Sequence, residues 1–580
     1  LLPILDLSGG RAKQPRARVP APGIIGTILD ELEEATAALH DHRDVHVVLL
    51  TAAGGTVHAQ DGRQPHAVVT PAPLGPAIPP EAIIYADDWP LAQHDLAGAR
   101  ATTASSIDAT NVATLEVAWR FRIEGISGYG GMTATPLVAG DTIYVQDMRS
   151  NVFALDRDTG VVRWERRYDV PSIGPNGLAL AYGQIFGATG DTAEVFALDA
   201  VTGAERWRVR LTNHPFEGID MAPAVYDSTV YVSTVGGNTR GFNRGGTRGV
   251  LFALDASTGG TLWTFDTTTD NLWGNPRINS GGGLWYPPSF DERGNLYFGV
   301  GNAGPWAGTP DFPNGSSRPG PNDYASSIVS LDPATGAVRW YHNAEPHSLF
   351  DHDFQNTPVL VTVLIDGVAT ELAIGSGKTG TVLAVKQNGG QVIWEIPVGL
   401  RQNDDLTALP PGQEVDVTPG AWGGVVSPVA YLDGTLFVPV VDFPTRFTST
   451  GYDQGSMFDF GKAAGELIAI DVATGAVAWA VDLPTPAFAG ATVVNDVVLT
   501  AGLDGVLRAF DTESGRAVWT HQTTAGINAP PAVAGSMIFV PAAGPRVVSP
   551  QSDADAALPE IVNELVAFRL PNDGTPAATD

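Results

Sequence analysis

Residues 153–164 read FALDRDTGVVRW, and this short phrase predicts a β-hairpin. The apolar run at its start is typical of a strand, and the side chains of Asp156 and Thr159 can close a tight turn by bonding to the backbone. Gly160 suits the turn position that needs a positive φ, and the returning strand ends at Trp164. The phrase therefore specifies two strands and the turn between them.

The phrase recurs along the chain, which indicates a repeat architecture. Its seven copies, of which the fifth is degenerate, lie at residues 153–164, 196–207, 252–263, 329–340, 383–394, 468–479 and 508–519. The tryptophans that end them are 40 to 85 residues apart, whereas one four-stranded blade needs about 40–45 residues. The surplus predicts long loops at 265–330 and 395–465, and long loops on a rigid scaffold commonly carry function.

Antiparallel units repeated around an axis give a β-propeller, with one four-stranded sheet per blade. An eighth unit can be assembled from both ends of the chain, because 115–119 supplies a strand bearing Trp119 and 565–568 supplies a strand with no turn or tryptophan of its own. Pairing them would remove the last free sheet edges. We therefore predict an all-β, eight-bladed β-propeller whose ring is closed by pairing of the N- and C-terminal strands. The repeat tryptophans are predicted to dock neighbouring blades together.

Residues 1–83 differ from the repeat region. Apolar residues between 24 and 39 keep a helical period, and the Pro-rich stretch at 70–80 is typical of a linker. A short apolar run at 45–50 resembles part of an export signal, although it lies deep in the chain, and a buried strand or helix explains it as well. We expect 1–83 to be an N-terminal extension or leader with a Pro-rich linker, and 84–580 to be the propeller.

Composition excludes several classes of partner and site. The 580 residues carry 33 basic and 63 acidic side chains, a net charge of −30, so a nucleic-acid partner is not expected. The absence of cysteine excludes disulfides, cysteine-ligated zinc, a thiol nucleophile and a haem attached through CxxCH. No window approaches the ~18 apolar residues that span a bilayer, so no membrane span is expected. Only four lysines occur, so a buried one would be notable: Lys13, Lys378, Lys386 and Lys462.

A more specific signal lies in the first long loop region and just after it. It consists of Gly301-Asn302, Pro305-Trp306, Arg318-Pro319-Gly320 with Asn322, and Pro346-His347 with Asp351. Together with the repeated AxDxxTGxxxW phrase, this order resembles the pyrroloquinoline quinone (PQQ) alcohol dehydrogenases, and the resemblance covers about residues 87–570. The repeat by itself is less specific, because non-enzymatic propellers such as the outer-membrane assembly lipoprotein share it.

The resemblance implies a quinoprotein dehydrogenase that oxidises an alcohol to a carbonyl by hydride transfer to PQQ. It also implies Ca²⁺ or a lanthanide as the metal, a separate electron acceptor such as a cytochrome c, and a periplasmic or secreted location in a bacterium. Residues 420–425, GAWGGV, look closer to polyvinyl-alcohol-dehydrogenase-like members than to methanol dehydrogenase. That likeness suggests a larger alcohol, either secondary or polymeric.

Five residues match the family's site position by position. Trp285 matches the indole floor on which PQQ stacks, and a planar tricyclic quinone gains from a broad aromatic face. Asn302 matches an amide ligand of the metal, and Asp351 matches the catalytic base, which we also count as a ligand. Asp353 lies where lanthanide-using relatives place a further carboxylate, an oxygen donor of the kind hard cations prefer. Lys378 matches the basic residue beside the reactive carbonyl, where a cation stabilises the quinone as it is reduced.

The chain also departs from the family pattern. The metal-ligand Glu expected shortly before Arg248-Gly249 is absent, and two partners of the PQQ carboxylates fall on Thr133 and Asn176. The adjacent cysteines that cap the other face of PQQ cannot exist here. We expect nearby arginines to meet the cofactor's carboxylates instead as bidentate donors: Arg240, Arg244 and Arg248.

These departures leave other functions open. A propeller that has lost the cofactor would act as a binding or scaffold module, and the missing Glu favours that alternative. A propeller that uses the same pocket for non-redox chemistry is a third possibility. His342, His347 and His352 recur every five residues, a spacing that suits neither a strand nor a helix face, so we do not expect a histidine metal site.

Overall fold

Short helices are a minor part of the structure. The computed structural model describes residues 74–547 and 560–571, and the elements below lie within those ranges. The helices are α1 (Pro80–Ile84), α2 (Asp270–Trp273) and α3 (Gln454–Met457), with 3-10 turns at Val112–Thr114 and Phe460–Lys462. All four residues of α2 have positive φ, so α2 is a left-handed turn and not an ordinary α-helix.

Strands account for most of the regular structure in the described residues. In the first half of the described chain they are β1 (Ala101–Thr102), β2 (Glu116–Arg122), β3 (Leu137–Ala139), β4 (Thr142–Gln146), β5 (Val152–Asp156), β6 (Val162–Arg166), β7 (Ala179–Ala181), β8 (Gln184–Thr189), β9 (Glu194–Asp199), β10 (Glu205–Arg210), β11 (Ala224–Tyr226), β12 (Thr229–Ser233), β13 (Gly237–Asn238), β14 (Gly241–Phe242), β15 (Val250–Asp255), β16 (Thr261–Asp266), β17 (Ser280–Gly281), β18 (Ser289–Phe290), β19 (Leu296–Gly299) and β20 (Ala303–Gly304). In the second half they are β21 (Ser327–Leu331), β22 (Val338–Asn343), β23 (Val359–Ile365), β24 (Val368–Ser376), β25 (Thr381–Lys386), β26 (Val392–Pro397), β27 (Val415–Val417), β28 (Ala430–Leu432), β29 (Thr435–Asp442), β30 (Thr445–Thr448), β31 (Gly451–Tyr452), β32 (Ala464–Asp471), β33 (Ala476–Leu483), β34 (Thr492–Val494), β35 (Val497–Ala501), β36 (Val506–Asp511), β37 (Ala517–Gln522), β38 (Ala532–Ala534), β39 (Met537–Ala542) and β40 (Glu564–Arg569).

Eight sheets share one antiparallel design of four strands. Written from the first to the last strand, they are β3-β4-β5-β6, β7-β8-β9-β10, β11-β12-β15-β16, β18-β19-β21-β22, β23-β24-β25-β26, β28-β29-β32-β33, β34-β35-β36-β37 and β38-β39-β40-β2. In the seventh of these, β1 adds a parallel fifth strand beside β34. The prediction of an all-β fold with eight four-stranded blades is confirmed for the described residues.

The eighth sheet combines the two ends of the repeat region. β2 pairs antiparallel with β40 and places Trp119 opposite Ala567. β39 and β38 complete that sheet. The predicted pairing of 115–119 with 565–568 is therefore confirmed.

The turn of each repeat is built as its sequence predicts. In the first copy, the Asp156 carboxylate accepts hydrogen bonds from the backbone N–H and the hydroxyl of Thr159, at 3.0 and 2.7 Å. Gly160 has a φ of +71°, and a Cβ there would lie 2.6 Å from the indole of Trp119 on the neighbouring blade. Glycine is thus required by the backbone conformation and by the close approach of an indole.

The repeat tryptophans dock against neighbouring blades, as predicted. Trp119 Nε1 donates to the Arg157 carbonyl in the turn of the next blade, at 2.9 Å. Further tryptophans make the equivalent bond at 2.8–3.0 Å: Trp164, Trp207, Trp263, Trp340, Trp394 and Trp479. Trp519 packs edge-on against Phe568 instead, with 5.6 Å between ring centroids. Each docked indole combines apolar contact with a satisfied backbone carbonyl.

A segment ahead of the blades, residues 89–102, bonds to the first strands of five sheets, and we call it the strap. Trp89 pairs with Val138 of β3. Backbone carbonyls of the strap accept N–H bonds from four more first strands, at Phe290, Leu360, Tyr431 and Val493. The fully buried Arg100 side chain donates to the Ala491 carbonyl at 2.9 Å. The strap therefore connects blades that are far apart in sequence.

The end of the predicted leader contacts the second and third blades. Glu81 accepts backbone bonds from Tyr182 and Gly183, and the Ser228 hydroxyl accepts one from Leu74. The helical period at 24–39, the export-like run at 45–50 and the start of the Pro-rich stretch lie outside the described residues. The division at residue 83 stays a prediction. Within 74–547 and 560–571, no helix has the length and apolar character needed to cross a membrane.

Candidate active site

A cavity of about 420 Å³ lies among the loops that connect the blades. Its lining includes six of the predicted site residues: Arg244, Trp285, Asn302, Asp351, Asp353 and Lys378. Both long loop regions predicted from the tryptophan spacing contribute to the lining, the first with Trp306 and the second with Trp422. A cavity of this size is in the range that holds a small-molecule ligand.

Asp351, Asp353 and Lys378 form a buried ion cluster in the cavity wall. Lys378 Nζ lies 2.9 Å from Asp351 Oδ2 and 2.7 Å from Asp353 Oδ2. The three residues are 6 %, 2 % and 8 % exposed, in that order. Because a buried charge without a partner is costly, the two carboxylates and the ammonium stabilise one another.

A β-bridge between Val300 and Phe354 places Asn302 beside Asp353. The Asn302 N–H donates to Asp353 Oδ1 at 2.7 Å, and its Nδ2 donates to the Phe350 carbonyl at 3.2 Å. With the amide nitrogen bound in this way, the amide oxygen is the atom of this side chain that can act as a ligand. Amide and carboxylate oxygens are the donors that hard cations prefer.

The charges of the cluster are strongly coupled. Burial raises the pKa of Asp351 to about 6, with Lys378 opposing the rise and Asp353 adding to it. Although burial favours the neutral amine, the two carboxylates raise the pKa of Lys378 above its ordinary value. Lys378 is therefore an ammonium at neutral pH, and Asp351 is ionised above its raised pKa.

Two residues that hold Lys378 in place were not predicted from the sequence. Gln355 Oε1 accepts the Lys378 N–H at 3.3 Å, and Gln355 Nε2 donates to the Val426 carbonyl at 2.9 Å. Lys378 Nζ also lies 5.4 Å from the ring centroid of Trp422. A signal for Gln355 was available, because it follows Asp351 and Asp353 at the alternate spacing that keeps side chains on one side of an extended chain.

Trp285 is half-buried and borders the cavity. It follows a glycine run, 281–283, whose φ angles are +119°, +71° and +96°. These conformations favour glycine, and a Cβ on Gly282 would lie 2.3 Å from the hydroxyl of Thr267. Gly174 also approaches this indole so closely that a Cβ on it would lie 2.9 Å from Trp285 Cε3. Two glycines without side chains therefore lie against the indole, Gly174 and Gly301.

The structure brings one of the three predicted arginines to the cavity. Arg244 lines it, with its Cζ 5.4 Å from the ring centroid of Phe216. Arg248 instead pairs with Asp266 at 3.0 Å and borders a separate cavity of about 350 Å³. Arg240 lies 3.9 Å from the Asp191 carboxylate. Arg240 and Arg248 are not among the residues that line the larger cavity.

The positions that depart from the family pattern have local partners. Thr133 lines the cavity, and its hydroxyl donates to the Gly174 carbonyl at 2.7 Å. Asn176 donates through Nδ2 to the Ala188 carbonyl at 3.1 Å. Within the described part of the chain, no cluster of three or more His, Cys, Asp or Glu side chains could hold a metal ion. A cation beside Asp351 would rest on two carboxylates and one amide.

Comparison with known proteins identifies the family. The profile described as glucose/ethanol/alcohol dehydrogenase, beta-propeller domain, matches residues 89–180 and 211–399, a range that includes the whole ion cluster. The quinohemoprotein alcohol dehydrogenase of Comamonas testosteroni is 27 % identical over 522 residues, which cover 77 % of this chain and 70 % of the relative. The chain belongs to the PQQ-dependent alcohol dehydrogenase family.

Other comparisons agree with this family. The quinoprotein ethanol dehydrogenase of Pseudomonas aeruginosa is 27 % identical over 506 residues, which cover 73 % of this chain and 80 % of the relative. Among solved structures, the quinohemoprotein alcohol dehydrogenase ADHIIG of Pseudomonas putida HK5 has a TM-score of 0.73 at 21 % identity, covering 86 % of this chain and 83 % of that one. That likeness supports the propeller fold. A second profile, of the outer membrane protein assembly factor BamB, matches residues 446–558.

The cavity suits both groups that membership of this family implies. The indole of Trp285 and the bare glycine backbone beside it suit a flat ring system. Lys378 and Arg244 supply cationic groups for an anionic quinone. The oxygens of Asn302 and Asp351, with those of Asp353, suit a hard cation. The residues present therefore fit PQQ and a metal ion.

Proposed function

We propose that this protein oxidises an alcohol to the corresponding carbonyl compound with PQQ as hydride acceptor, and passes the electrons to a separate acceptor. The observation that carries the proposal is the buried cluster of Asp351, Asp353 and Lys378 in the same cavity as the indole of Trp285. The cluster joins a carboxylate able to take a proton with a cation able to stabilise developing negative charge. Family membership supports the same class of reaction.

PQQ and its metal ion, when bound, supply the hydride acceptor and a Lewis acid. Three residues would hold the metal ion through oxygen: Asn302, Asp351 and Asp353. Trp285 would hold the plane of the quinone, and Arg244 would meet a cofactor carboxylate.

Asp351 is the base of the proposed reaction. Its carboxylate accepts the hydroxyl proton of the alcohol, which makes the oxygen electron-rich and favours departure of hydride from the carbinol carbon. Lys378 fixes the position of that carboxylate through the 2.9 Å contact and keeps a positive charge beside the redox centre. Asp353 holds Lys378 on one oxygen and the Asn302 backbone on the other, so it positions the cluster as a whole.

We propose an alcohol larger than methanol as substrate. One part of the cavity wall is apolar or aromatic and consists of Trp306, Trp422, Tyr452, Met457, Phe458 and Phe488. Phe458 is 49 % exposed, so this apolar surface reaches the outside. A bulky secondary or polymeric alcohol would cover such a surface, whereas methanol would leave it in contact with water. The likeness of 420–425 to polyvinyl-alcohol-dehydrogenase-like members points the same way.

Steady-state kinetics on a series of primary and secondary alcohols tests the substrate. We expect kcat/KM to rise with chain length, because each buried methylene contributes about 0.8 kcal/mol. A kcat/KM that is greatest for methanol would contradict the proposal.

Reconstitution tests the reaction. The purified protein is titrated with PQQ and Ca²⁺ or La³⁺, and alcohol-dependent reduction of a dye is then followed. We expect a quinone absorbance shift on binding and turnover with at least one alcohol. Asp351→Asn should lower kcat at least about 10³-fold while PQQ still binds, because the base is removed and the shape is kept. Asp366→Asn, at an exposed hairpin turn, is the matched control and should leave kcat unchanged.

The alternative function is a propeller that has lost the cofactor and serves as a binding or scaffold module. It is favoured by the lack of a third His, Cys, Asp or Glu side chain beside Asp351 and Asp353 in the described residues. No quinone absorbance shift and no turnover with either metal would support this alternative over the dehydrogenase.

We place the protein in the bacterial periplasm or outside the cell, with a cytochrome c as the electron acceptor. The bacterial dehydrogenases to which the chain is related support this placement. Reduction of a bacterial c-type cytochrome by the alcohol-reduced holoenzyme tests the acceptor. A holoenzyme that reduces the dye but none of the c-type cytochromes of its own organism would contradict it.

A further inference from the structure

We propose that Asp220 is a positioning residue that holds the loop of residues 172–175 against Trp285 and so fixes the width of the cofactor slot. The inference rests on the proposed function, because it concerns the same cavity. It adds a residue that the sequence pattern did not indicate and that lies outside the lining itself.

One oxygen of Asp220 accepts three hydrogen bonds from consecutive residues of the loop. Asp220 Oδ1 lies 2.8 Å from the Ser172 hydroxyl, 2.9 Å from the Ile173 N–H and 3.1 Å from the Gly174 N–H. Asp220 is 1 % exposed, and its Oδ2 has no hydrogen-bond partner in the described structure. All of its hydrogen bonding is therefore directed at this loop.

The loop forms part of the cavity wall next to the indole. Its residues Ile173, Gly174 and Pro175 all line the cavity. Gly174 is the point of closest approach, since a Cβ there would lie 2.9 Å from Trp285 Cε3. The position of Gly174 therefore determines how much room there is beside the indole for a flat ligand.

The carbonyl side of the same loop is held as well. The Gly174 carbonyl accepts a hydrogen bond from the Thr133 hydroxyl at 2.7 Å and one from the Asn176 N–H, also at 2.7 Å. The loop is thus held at its N–H groups by Asp220 and at its carbonyl by Thr133. With no cysteine in the chain, these hydrogen bonds hold the loop where a covalent link is not possible.

A carboxylate is suited to this role. Its oxygen satisfies two backbone N–H groups and one hydroxyl at once, which an amide oxygen at the same place can also do. Removal of the acceptor would leave two backbone N–H groups and a hydroxyl buried without a partner, and each such group weakens the local structure. Without Asp220, the loop should therefore move away from Trp285.

The test compares Asp220→Ala with Asp220→Asn, because Asn keeps an oxygen that can accept the same three bonds. The release of PQQ from the metal-loaded protein is followed by the recovery of tryptophan fluorescence after dilution. We expect release about tenfold faster from Asp220→Ala than from the wild type, and release from Asp220→Asn within about threefold of the wild type. Ser172→Ala, which removes one bond of the three, should give an intermediate rate.

Asp332→Ala is the matched control. Asp332 Oδ1 also accepts three hydrogen bonds, from the N–H groups of Ala334 and Thr335 and from the Thr335 hydroxyl, but in a repeat turn that is not among the cavity-lining segments. We expect this variant to lose stability while its rate of PQQ release stays at the wild-type value.

Amide hydrogen exchange on the protein without cofactor gives a second readout that needs no PQQ. Exchange at Ile173 and Gly174 should be about tenfold faster in Asp220→Ala and near the wild-type rate in Asp220→Asn.

If the wild type binds PQQ but Asp220→Ala releases it at the wild-type rate, the inference is wrong and the proposed function stands. If the wild type binds no PQQ, the proposed function is wrong, and the role of Asp220 toward the cofactor is wrong with it. If Asp220→Ala does not fold, Ser172→Ala decides, and a wild-type rate of release from it overturns the inference.

Discussion

At the scale of single residues, the site depends on the balance of charge around Lys378. The Lys378 ammonium pairs with two buried carboxylates, 2.9 Å from that of Asp351 and 2.7 Å from that of Asp353. The cluster without a metal ion therefore has one negative charge in excess, which a bound cation would compensate. The same lysine thus links the stability of the cluster to cation binding.

Replacement of Lys378 by Met should destabilise the protein. Two carboxylates would be left buried without a counter-ion, which costs about 3–5 kcal/mol in the free energy of unfolding. Urea unfolding followed by fluorescence measures this loss. La³⁺ should raise the unfolding midpoint of Lys378→Met more than that of the wild type, because the ion takes over the missing positive charge. Lys462 is exposed, so Lys462→Met is the control and should change the free energy of unfolding by less than about 1 kcal/mol. Equal stability of the two variants would contradict the proposed charge balance.

Asp220 should make the stability depend on pH. Burial raises the pKa of Asp220 to about 6, with the nearby Asp191 adding to the rise, whereas an unfolded Asp titrates near ~3.9. Between these values the native state binds more protons than the unfolded state, so the contribution of Asp220 to the free energy of unfolding falls as pH rises from about 4 to 7. The difference between the wild type and Asp220→Asn should shift by up to about 3 kcal/mol over this range. Urea unfolding at both pH values measures it, and a difference that does not vary with pH would contradict the buried, titrating carboxylate.

The sequence indicated some of these residues and not others. Lys378 could be predicted because lysine is so rare in the chain and because its motif is specific. Asp220 could not, since its partners at Ser172–Gly174 are almost fifty residues away and belong to another blade. Three arginines within nine residues could not be separated by pattern either, and the structure brings only Arg244 to the cavity.

At the scale of elements, each repeat contains the residues that determine its own turn and its docking to the next blade. Asp, Thr and Gly fix the turn within five residues, and Trp then fixes the docking to the neighbouring blade. Because these determinants are local and repeated, the number and order of blades could be predicted from the sequence. The two long loop regions could be located by the excess length, but their internal geometry could not, since it depends on contacts such as the β-bridge of Val300 with Phe354.

A comparison of two tryptophans separates docking from simple burial. Trp164→Phe removes the Nε1 donor to the Ala200 carbonyl at 3.0 Å and should lower the free energy of unfolding by about 2 kcal/mol. Trp519→Phe should cost about 1 kcal/mol less, because Trp519 makes no such bond to a following turn in the described residues. Urea unfolding of the two variants gives the difference. Equal losses would show that the hydrogen bond between blades adds nothing to the burial of the ring.

At the scale of the whole molecule, the strap of residues 89–102 connects five blades, which no single repeat does. Each docked tryptophan joins only adjacent blades, whereas the strap bonds to the first strands of five. Its contacts are separated by up to about four hundred residues in sequence, and its own residues show no repeat. For these reasons its role could not be predicted, although Arg100 proves to be among the most buried side chains.

Arg100→Met should therefore weaken the assembly of the blades as a whole. The guanidinium donates to the carbonyls of Ala92 and Ala491 and to the hydroxyl of Thr492, all at 2.9 Å, and no carboxylate pairs with it in the described residues. Loss of these donors should lower the free energy of unfolding by about 3 kcal/mol, at about 1 kcal/mol for each unsatisfied acceptor. Because the strap is the contact shared by five blades, unfolding should also lose its single cooperative transition. Far-UV circular dichroism and tryptophan fluorescence should then give different midpoints in urea.

Arg339→Met, which removes a surface ion pair with Asp332, is the control and should keep one transition near the wild-type midpoint. If Arg100→Met behaves like this control, the strap does not hold the blades together.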